Sequence, residues 1–246
     1  MSSEAPGSTA REHLALALDV ANLDEAVELA ARLRPWFSVA KIGLELFSAE
    51  GPLAVDTLAD EGFRIFVDLK LHDIPTTVGR AARRIGALGA SYLTVHAAGG
   101  EQMLAAAVEG FEEGWAGAVS AGYLEPAAGT AGILAVTVLT SDPDPSAAIV
   151  CDRTMLAART GCLGVICAAS DLSVVGLAAP TMLTVVPGIR LAQSSHDDQA
   201  RIGGPGEATR AGADLLVIGR TVTSAESPEL AAQQLSAEVL AALELD

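Results

Sequence analysis

Short apolar runs alternate along the chain with longer stretches that have the periodicity of amphipathic helices. The short runs are predicted as strands, and the intervening stretches, such as 22–33, 50–61 and 76–89, as helices. Eight such strand–helix units predict an α/β protein with a single (β/α)8 TIM barrel, a fold that typically takes roughly 250 residues. A doubly wound open sheet is the alternative. The predicted strands are 13–19, 38–43, 63–70, 91–97, 133–139, 164–169, 183–188 and 214–220.

Alternation within the strands supports the barrel. In 63–70, alternate residues fall on two faces, an apolar one with Phe63, Ile65, Val67 and Leu69 and a second one with Arg64, Phe66, Asp68 and Lys70. The apolar faces are expected to pack against the outer helices and the opposite faces to point into the barrel. Charged or polar residues then gather at the carboxyl ends of the strands, where barrel active sites lie. The residues at such ends are Asp19, Lys41, Asp68, Lys70 and His96.

No linker or change of composition divides the chain, so residues 12–246 are predicted to form one barrel domain. Residues 1–11 lack the basic and apolar regions of a signal peptide and are expected to form a disordered leader. No apolar run reaches the length of a membrane span. The three cysteines form no CxxC pair and show no metal-ligand spacing, which is typical of a reduced, cytoplasmic protein.

The charge balance excludes some classes of partner. A net charge of −16 argues against binding to nucleic acids or anionic membranes, because both require a basic surface. It leaves room for one small phosphorylated ligand, which a local arginine can hold. Thirteen arginines accompany only two lysines, Lys41 and Lys70, so the lysines are candidates for a special role.

The segment FVDLKLHDIPTTV (66–78) concentrates the candidate chemistry. A period of two places Asp68 and Lys70 on one strand face, and Asp73 follows in the loop. A structural ion-pair network is the simpler interpretation, but buried charges are costly without a function. Carboxylates favour the charged form of a lysine between them, which suits proton donation better than Schiff-base chemistry. Loss of a substrate carboxylate as CO2, followed by protonation of the carbanion, fits this arrangement.

Several ordered motifs carry a family resemblance. DLKLHDIPTT closely resembles the signature of the orotidine 5'-phosphate decarboxylase family, which catalyses the last step of UMP synthesis. The similarity extends over nearly the whole chain, through LALD, KIGLELF, VHAAGG, VTVLTS, VVPGIR and VIGR. In one position the chain departs from the family, because Thr76 replaces the asparagine of the usual IPNT. That change puts the local capping of the loop in doubt more than the chemistry.

The resemblance implies roles for individual residues. Lys70 would donate a proton to C6 of the pyrimidine, Asp68 would lie against the substrate carboxylate, and Asp73 would complete the charge network from the partner subunit of a homodimer. No cofactor and no metal are implied. The implied substrate-binding residues are Asp19 and Lys41 at the ribose, Thr77 at the nucleotide, Thr140 at the pyrimidine, and Arg190, Gln199 (on a closing loop), Gly219 and Arg220 at the phosphate.

Three features of the residues bear on these roles. Barrels commonly bind phosphate after strands seven and eight, where VVPGIR and VIGR each join a glycine to an arginine. The apolar pair Ile74 and Pro75 beside Asp73 suggests docking against another protein surface, although the spacing also allows Asp73 to fold back onto its own Lys70. A polar loop precedes GGPGEATR (203–210), which lacks the GK[ST] of a P-loop and predicts a helix start.

Two other functions share parts of this pattern. Metal-dependent sugar-phosphate decarboxylases or aldolase-like synthases of the same barrel superfamily carry D-x-K-x-x-D, but they place a glutamate near the second strand end to hold magnesium. Here Lys41 stands at that end and would repel the ion, while Glu45 lies further along. A non-catalytic phosphate-binding module is the remaining alternative, and it leaves Asp68, Lys70 and Asp73 unexplained.

Overall fold

The computed structural model describes residues 8–122, 131–191 and 203–244. Eight parallel strands in these ranges form one closed barrel in which strand order follows chain order. All eight lie within the segments predicted from the sequence or within one residue of them. The strands are β1 Leu14–Leu18, β2 Val39–Ile42, β3 Arg64–Leu71, β4 Tyr92–His96, β5 Gly132–Val136, β6 Gly164–Ile166, β7 Leu183–Val186 and β8 Leu215–Ile218.

Closure of the sheet decides between the two predicted architectures. β1 pairs with β2 on one side and with β8 on the other, where Leu14 lies opposite Leu216 and Leu16 opposite Ile218. An open doubly wound sheet would leave its edge strands unpaired on one side. The (β/α)8 barrel prediction is therefore confirmed.

The two faces of each strand separate two cores, as the alternation predicted. Leu14, Leu16 and Leu18 of β1 are buried in the large core between the strands and the helices, whereas Ala15 and Ala17 point into the barrel. β3 behaves in the same way, with its odd-numbered apolar residues outside. The barrel interior is filled by Ala15, Ala17, Val39, Phe66, Tyr92, Leu134, Val136, Ile166, Val185, Leu215 and Val217.

Helices surround the barrel in the order expected of βα units. The chain leaves β2 through two helices, α3 (Leu44–Glu50) and α4 (Pro52–Asp60), rather than the single predicted one, because Gly51 between them adopts a left-handed conformation with φ 59°. No helix in the described ranges is long and apolar enough to cross a membrane. The helices are α1 Ser8–Glu12, α2 Leu23–Leu33, α3 Leu44–Glu50, α4 Pro52–Asp60, α5 Pro75–Ala87, α6 Glu101–Ser120, α7 Ala147–Arg159, α8 Leu172–Ala178, α9 Pro205–Arg210, α10 Arg220–Thr223 and α11 Pro228–Leu243.

Helix α1 overlaps the predicted disordered leader. Ala10 is buried in the main core, and Arg11 donates hydrogen bonds from Nε to the carbonyl oxygens of Arg34 and Phe37, both at 3.1 Å. These contacts hold the segment against the domain, so the prediction of disorder does not apply to 8–11. The first seven residues lie outside the described ranges.

Glycines bring α5 and α6 together at very short range. A Cβ atom added to Gly110 would lie 2.2 Å from the carbonyl oxygen of Gly79, and one added to Gly114 would lie 2.0 Å from that of Arg83. Side chains at these positions would force the helices apart. Since α5 begins at Pro75, directly after the Asp73 loop, this packing fixes the helix that carries Thr77 beside the barrel mouth.

Candidate active site

Strand β3 ends in an irregular segment that brings Asp68 and Lys70 together. Its pairing with β4 runs from Val67 opposite Leu93 to Leu71 opposite Val95, so three residues of β3 face a single residue of β4. Lys70 takes a left-handed backbone conformation there, with φ 49°. Its Nζ lies 2.8 Å from both carboxylate oxygens of Asp68.

A second lysine extends the charged cluster. Nζ of Lys41, on β2, lies 3.1 Å from Oδ1 of Asp19 and 3.5 Å from Oδ2 of Asp68. The Lys41 side chain is only 8% exposed, whereas that of Asp19 is 60% exposed. Charges therefore alternate from Asp19 through Lys41 and Asp68 to Lys70, and the buried ammonium of Lys41 has two carboxylate partners.

The lysines keep Asp68 ionised. Burial by itself would raise the pKa of this carboxyl, because a low-dielectric environment disfavours the charged form. The positive charges of Lys41 and Lys70, with hydrogen bonds from Lys70 and Thr94, outweigh burial and leave the pKa below its ordinary value. Asp68 thus presents a fixed negative charge at the barrel mouth.

The charged cluster forms one wall of a cavity of about 280 Å³ at the carboxyl ends of the strands. Eight of the eleven predicted site residues line it: Asp19, Lys41, Asp68, Lys70, Thr140, Arg190, Gly219 and Arg220. Phe66 precedes Asp68 by two residues on the same face of β3 and also lines the cavity. Its ring packs edge-on against Tyr92 at a centroid distance of 5.9 Å. The carboxylates and ammonium groups therefore share one concave site with two arginines.

The arginines belong to the ends of β7 and β8. Arg190 follows Gly188, which has φ 80°, and its Nη1 donates to the carbonyl oxygen of Ile189 at 3.1 Å. The same Nη1 lies 3.3 Å from Oγ1 of Thr221, which in turn donates to Ile189 O at 2.8 Å. Arg220 begins α10 directly after Gly219. This arrangement suits an anion such as phosphate.

Asp73 and Thr77 do not line the cavity of their own chain. Both residues are exposed, and Oδ1 of Asp73 accepts a hydrogen bond from the Ile74 amide at 2.6 Å. Among the described residues, Asp73 forms no ion pair with Lys70. Ile74 is 66% exposed, and it precedes α5 without a side-chain cap. Gln199 lies outside the described residues.

Two histidines lie beside the cluster. The rings of His72 and His96 are 5.4 Å apart, with their planes inclined by 39°. Burial lowers the pKa of His96, and the neighbouring His72, Lys70 and Arg153 lower it further, against a smaller opposing effect of the Asp68 carboxylate. The neutral form of His96 is therefore favoured relative to a free imidazole.

Comparisons with known sequences identify the family of this chain. A family model described as "Orotidine 5'-phosphate decarboxylase / HUMPS family" matches residues 12–235. The chain belongs to this family. An orotidine 5'-phosphate decarboxylase of Anaeromyxobacter sp. (strain K) is 42% identical over 92% of this chain and 97% of the relative. One from Bacillus licheniformis is 37% identical over 91% and 95% of the two chains.

Solved structures give the same result. The crystal structure of orotidine 5'-phosphate decarboxylase from Lactobacillus acidophilus superposes with a TM-score of 0.76 at 30% identity, covering 93% of this chain and 99% of that one. The resemblance seen in the sequence motifs is therefore confirmed for the family and for the fold. The individual roles of the site residues stay predictions.

Two residues that contact the charged cluster were not among the predicted site residues. Gly43 lines the cavity, and a Cβ atom there would lie 2.5 Å from Oδ1 of Asp19 and 3.3 Å from Nζ of Lys41. Thr94 lies behind the cluster, where its hydroxyl contacts Asp68. The position of Thr94 on the inward face of β4 was readable from the alternation, whereas the close approach at Gly43 depends on the fold.

Proposed function

We propose that this protein decarboxylates orotidine 5'-phosphate to UMP and CO2, with Lys70 as the proton donor. The observation that carries the proposal is the Lys70 ammonium held 2.8 Å from both oxygens of an ionised Asp68, inside a cavity that also holds Arg190 and Arg220. An ammonium beside a fixed carboxylate can protonate a carbanion, and the arginines can hold the phosphate. The relatives' names agree with this reaction.

The proposed reaction balances without a co-reactant. The bond between C6 and the carboxylate carbon breaks, its electron pair stays on C6, and CO2 leaves. Lys70 then transfers a proton to C6 to form the C–H bond of UMP, and the resulting neutral amine regains a proton from water. Repulsion between Asp68 and the substrate carboxylate disappears as CO2 forms, so the transition state is stabilised relative to the bound substrate.

Substrate contacts follow from the order of groups around the cavity. Asp19 and Lys41 hold the ribose hydroxyls, Thr140 contacts the pyrimidine, and Gly219 gives the phosphate close access to the backbone beside the two arginines. The lining of one cavity by all of these residues supports this assignment. Gln199 is proposed to close over the phosphate, and this role rests on the family resemblance alone.

The active protein is proposed to be a cytoplasmic homodimer in which Asp73 and Thr77 enter the partner's site. Their exposure outside their own cavity and the 66% exposure of Ile74 support a docking surface at this loop. Asp73 would then add a second carboxylate beside Lys70 of the partner subunit. Thr76 is exposed at the start of α5, so its substitution for asparagine leaves the charged cluster untouched.

Mixing two inactive variants tests the shared site. Lys70→Ala and Asp73→Ala chains are each expected to be inactive, because every site lacks one member of the network. After random subunit exchange, half of the dimers are mixed and each mixed dimer has one intact site, so about a quarter of sites should recover. A mixture that stays inactive after demonstrated exchange would show that each site is built from one chain.

The metal-dependent alternative does not fit the charged cluster. A magnesium ion at the end of the second strand would meet the Lys41 ammonium, which already pairs with the carboxylates of Asp19 and Asp68. Incubation of orotidine 5'-phosphate with the protein in excess EDTA, followed by ultraviolet absorbance, tests the proposal directly. Conversion to UMP at the rate seen without EDTA is expected. No conversion, or conversion only after magnesium is restored, would refute it.

A further inference from the structure

The hydroxyl of Thr94 joins the backbone of Lys70 to the side chain of Asp68. Thr94 lies on the inward face of β4 and is fully buried. Its Oγ1 accepts a hydrogen bond from the Lys70 amide at 2.9 Å and donates one to Oδ1 of Asp68, also at 2.9 Å. Thr94 does not line the cavity, so it stands behind the two charged residues rather than beside a ligand.

The direction of both hydrogen bonds is fixed by chemistry. An ionised carboxylate only accepts, and a backbone N–H only donates. A hydroxyl has one proton and two lone pairs, so it can donate to Asp68 and accept from Lys70 at the same time. Valine has nearly the shape of threonine, but it can do neither.

The irregular end of β3 explains why a side chain is needed here. Three residues of β3, 68–70, lie opposite the single residue Thr94 of β4. This mismatch interrupts the regular ladder of backbone hydrogen bonds. The Lys70 amide then finds its acceptor in the Thr94 hydroxyl, while φ at Lys70 takes the value 49°. A non-glycine residue keeps such a conformation only where its surroundings hold it.

We propose that Thr94 is a positioning residue that holds the Asp68–Lys70 pair in its reactive geometry. The inference rests on the proposed decarboxylase function for its effect on rate. The hydrogen bonds of the Thr94 hydroxyl go to Lys70 and Asp68, the residues assigned to the reacting centre, so the hydroxyl affects turnover rather than substrate capture. A displacement of a reacting group by about 1 Å costs up to roughly 100-fold in rate.

Two matched pairs of side chains isolate the hydroxyl. The wild type and Thr94→Val have side chains of nearly the same shape and differ in the hydroxyl. Thr94→Ser and Thr94→Ala both lack the methyl group and again differ in the hydroxyl. The Ser/Ala pair keeps the test decisive if valine prevents folding. Thr209→Val is the control, because Thr209 is also buried but its hydroxyl donates to the carbonyl oxygen of Pro205 in its own helix, away from the charged cluster.

The kinetic expectation is a loss of kcat with little change in KM. Thr94→Val and Thr94→Ala are expected to lower kcat about 10- to 100-fold, because a hydrogen bond to a charged group and one to a strained backbone are lost. KM should stay within about threefold, Thr94→Ser should retain most of the wild-type kcat, and Thr209→Val should match the wild type. Equal losses in Thr94→Ser and Thr94→Ala, or a normal kcat in Thr94→Val, would overturn the proposal.

A measurement independent of turnover separates this proposal from the proposed function. The Asp68 carboxyl can be titrated by 13C NMR of aspartate-labelled protein, with Asp68→Asn used for assignment. Its pKa should rise in Thr94→Val and stay near the wild-type value in Thr94→Ser, since serine keeps the hydroxyl that donates to the carboxylate and valine does not. The same pKa in all three proteins would overturn the positioning role. If the wild type fails to turn over orotidine 5'-phosphate while this difference persists, the proposed function is wrong but Thr94 still holds Asp68.

Discussion

Replacing Lys70 by glycine and by alanine separates the backbone conformation of this residue from its chemistry. Lys70 is the one non-glycine residue with positive φ in the described ranges, at 49°. In this conformation a Cβ atom crowds the following carbonyl oxygen, which costs about 1–2 kcal/mol. Glycine has no Cβ and avoids that cost. Both variants lack the proposed proton donor and are expected to be inactive, so activity does not bias the comparison.

The expected magnitude follows from opposing terms. At a position in an ordinary strand, a protein with glycine is less stable than one with alanine by roughly 0.5–1 kcal/mol, because glycine gives the unfolded chain more conformational freedom. At Lys70 the relief of crowding exceeds this loss, so Lys70→Gly should be more stable than Lys70→Ala by up to about 1.5 kcal/mol. For a domain of this size, 1 kcal/mol corresponds to about 2–4 °C in the midpoint of thermal unfolding, Tm.

Lys41 supplies the matched control. It also ends a barrel strand beside Asp68, but it pairs regularly with Ala17 and Phe66. Lys41→Gly should therefore be less stable than Lys41→Ala by roughly 0.5–1 kcal/mol, the opposite order. Loss of the lysine charge affects both members of each pair equally and cancels within it.

The assay is urea denaturation followed by circular dichroism, with Tm as a second measure and all chains at one concentration, since dimerisation would shift both. The reasoning predicts a reversal of the glycine–alanine order between positions 70 and 41. An alanine variant at position 70 that is as stable as the glycine variant, or more stable, would refute backbone strain at Lys70.

Three further predictions concern the surroundings of this residue. Gly43→Ala should leave Tm within about 2 °C of the wild type, because the exposed Asp19 side chain can move away from the new methyl group. The displaced Asp19 carboxylate should lower kcat/KM about tenfold, and an unchanged kcat/KM would contradict a ribose-binding role for Asp19. Arg220→Ala should raise KM at least tenfold, because the phosphate loses a cationic partner, and an unchanged KM would remove Arg220 from the phosphate site. The pKa of His96 is lower in the folded protein than its ordinary value of 6.5, so its contribution to stability is complete above that value and is lost as the pH falls through the folded pKa. In urea titrations, the free energy of unfolding of His96→Gln should therefore fall less than that of the wild type between about pH 7 and pH 5. The same fall in both proteins would show that His96 does not titrate in this way.

Much of the fold follows from the sequence because the barrel repeats a local pattern. Period-two alternation in 63–70 determines which side chains face the helices, and the same alternation places Asp68 and Lys70 on the inward face. Helix signals are equally local, as at Asn22, whose side chain accepts from the Glu25 amide at 3.0 Å and caps α2. Such preferences depend on neighbours within a few residues, so they survive without knowledge of the fold.

The tertiary structure decided how the charged groups meet. The irregularity in β3 arises from its register with β4, and alternation within one strand cannot specify it. The left-handed conformation of Lys70, the two hydrogen bonds of Thr94 and the close approach of Asp19 to Gly43 all depend on which strands lie side by side. The sequence by itself therefore determined the eight strand–helix units, the inward faces of the strands and the residue types of the site. Closure of the barrel determined their distances, because those contacts join segments that are remote in the chain.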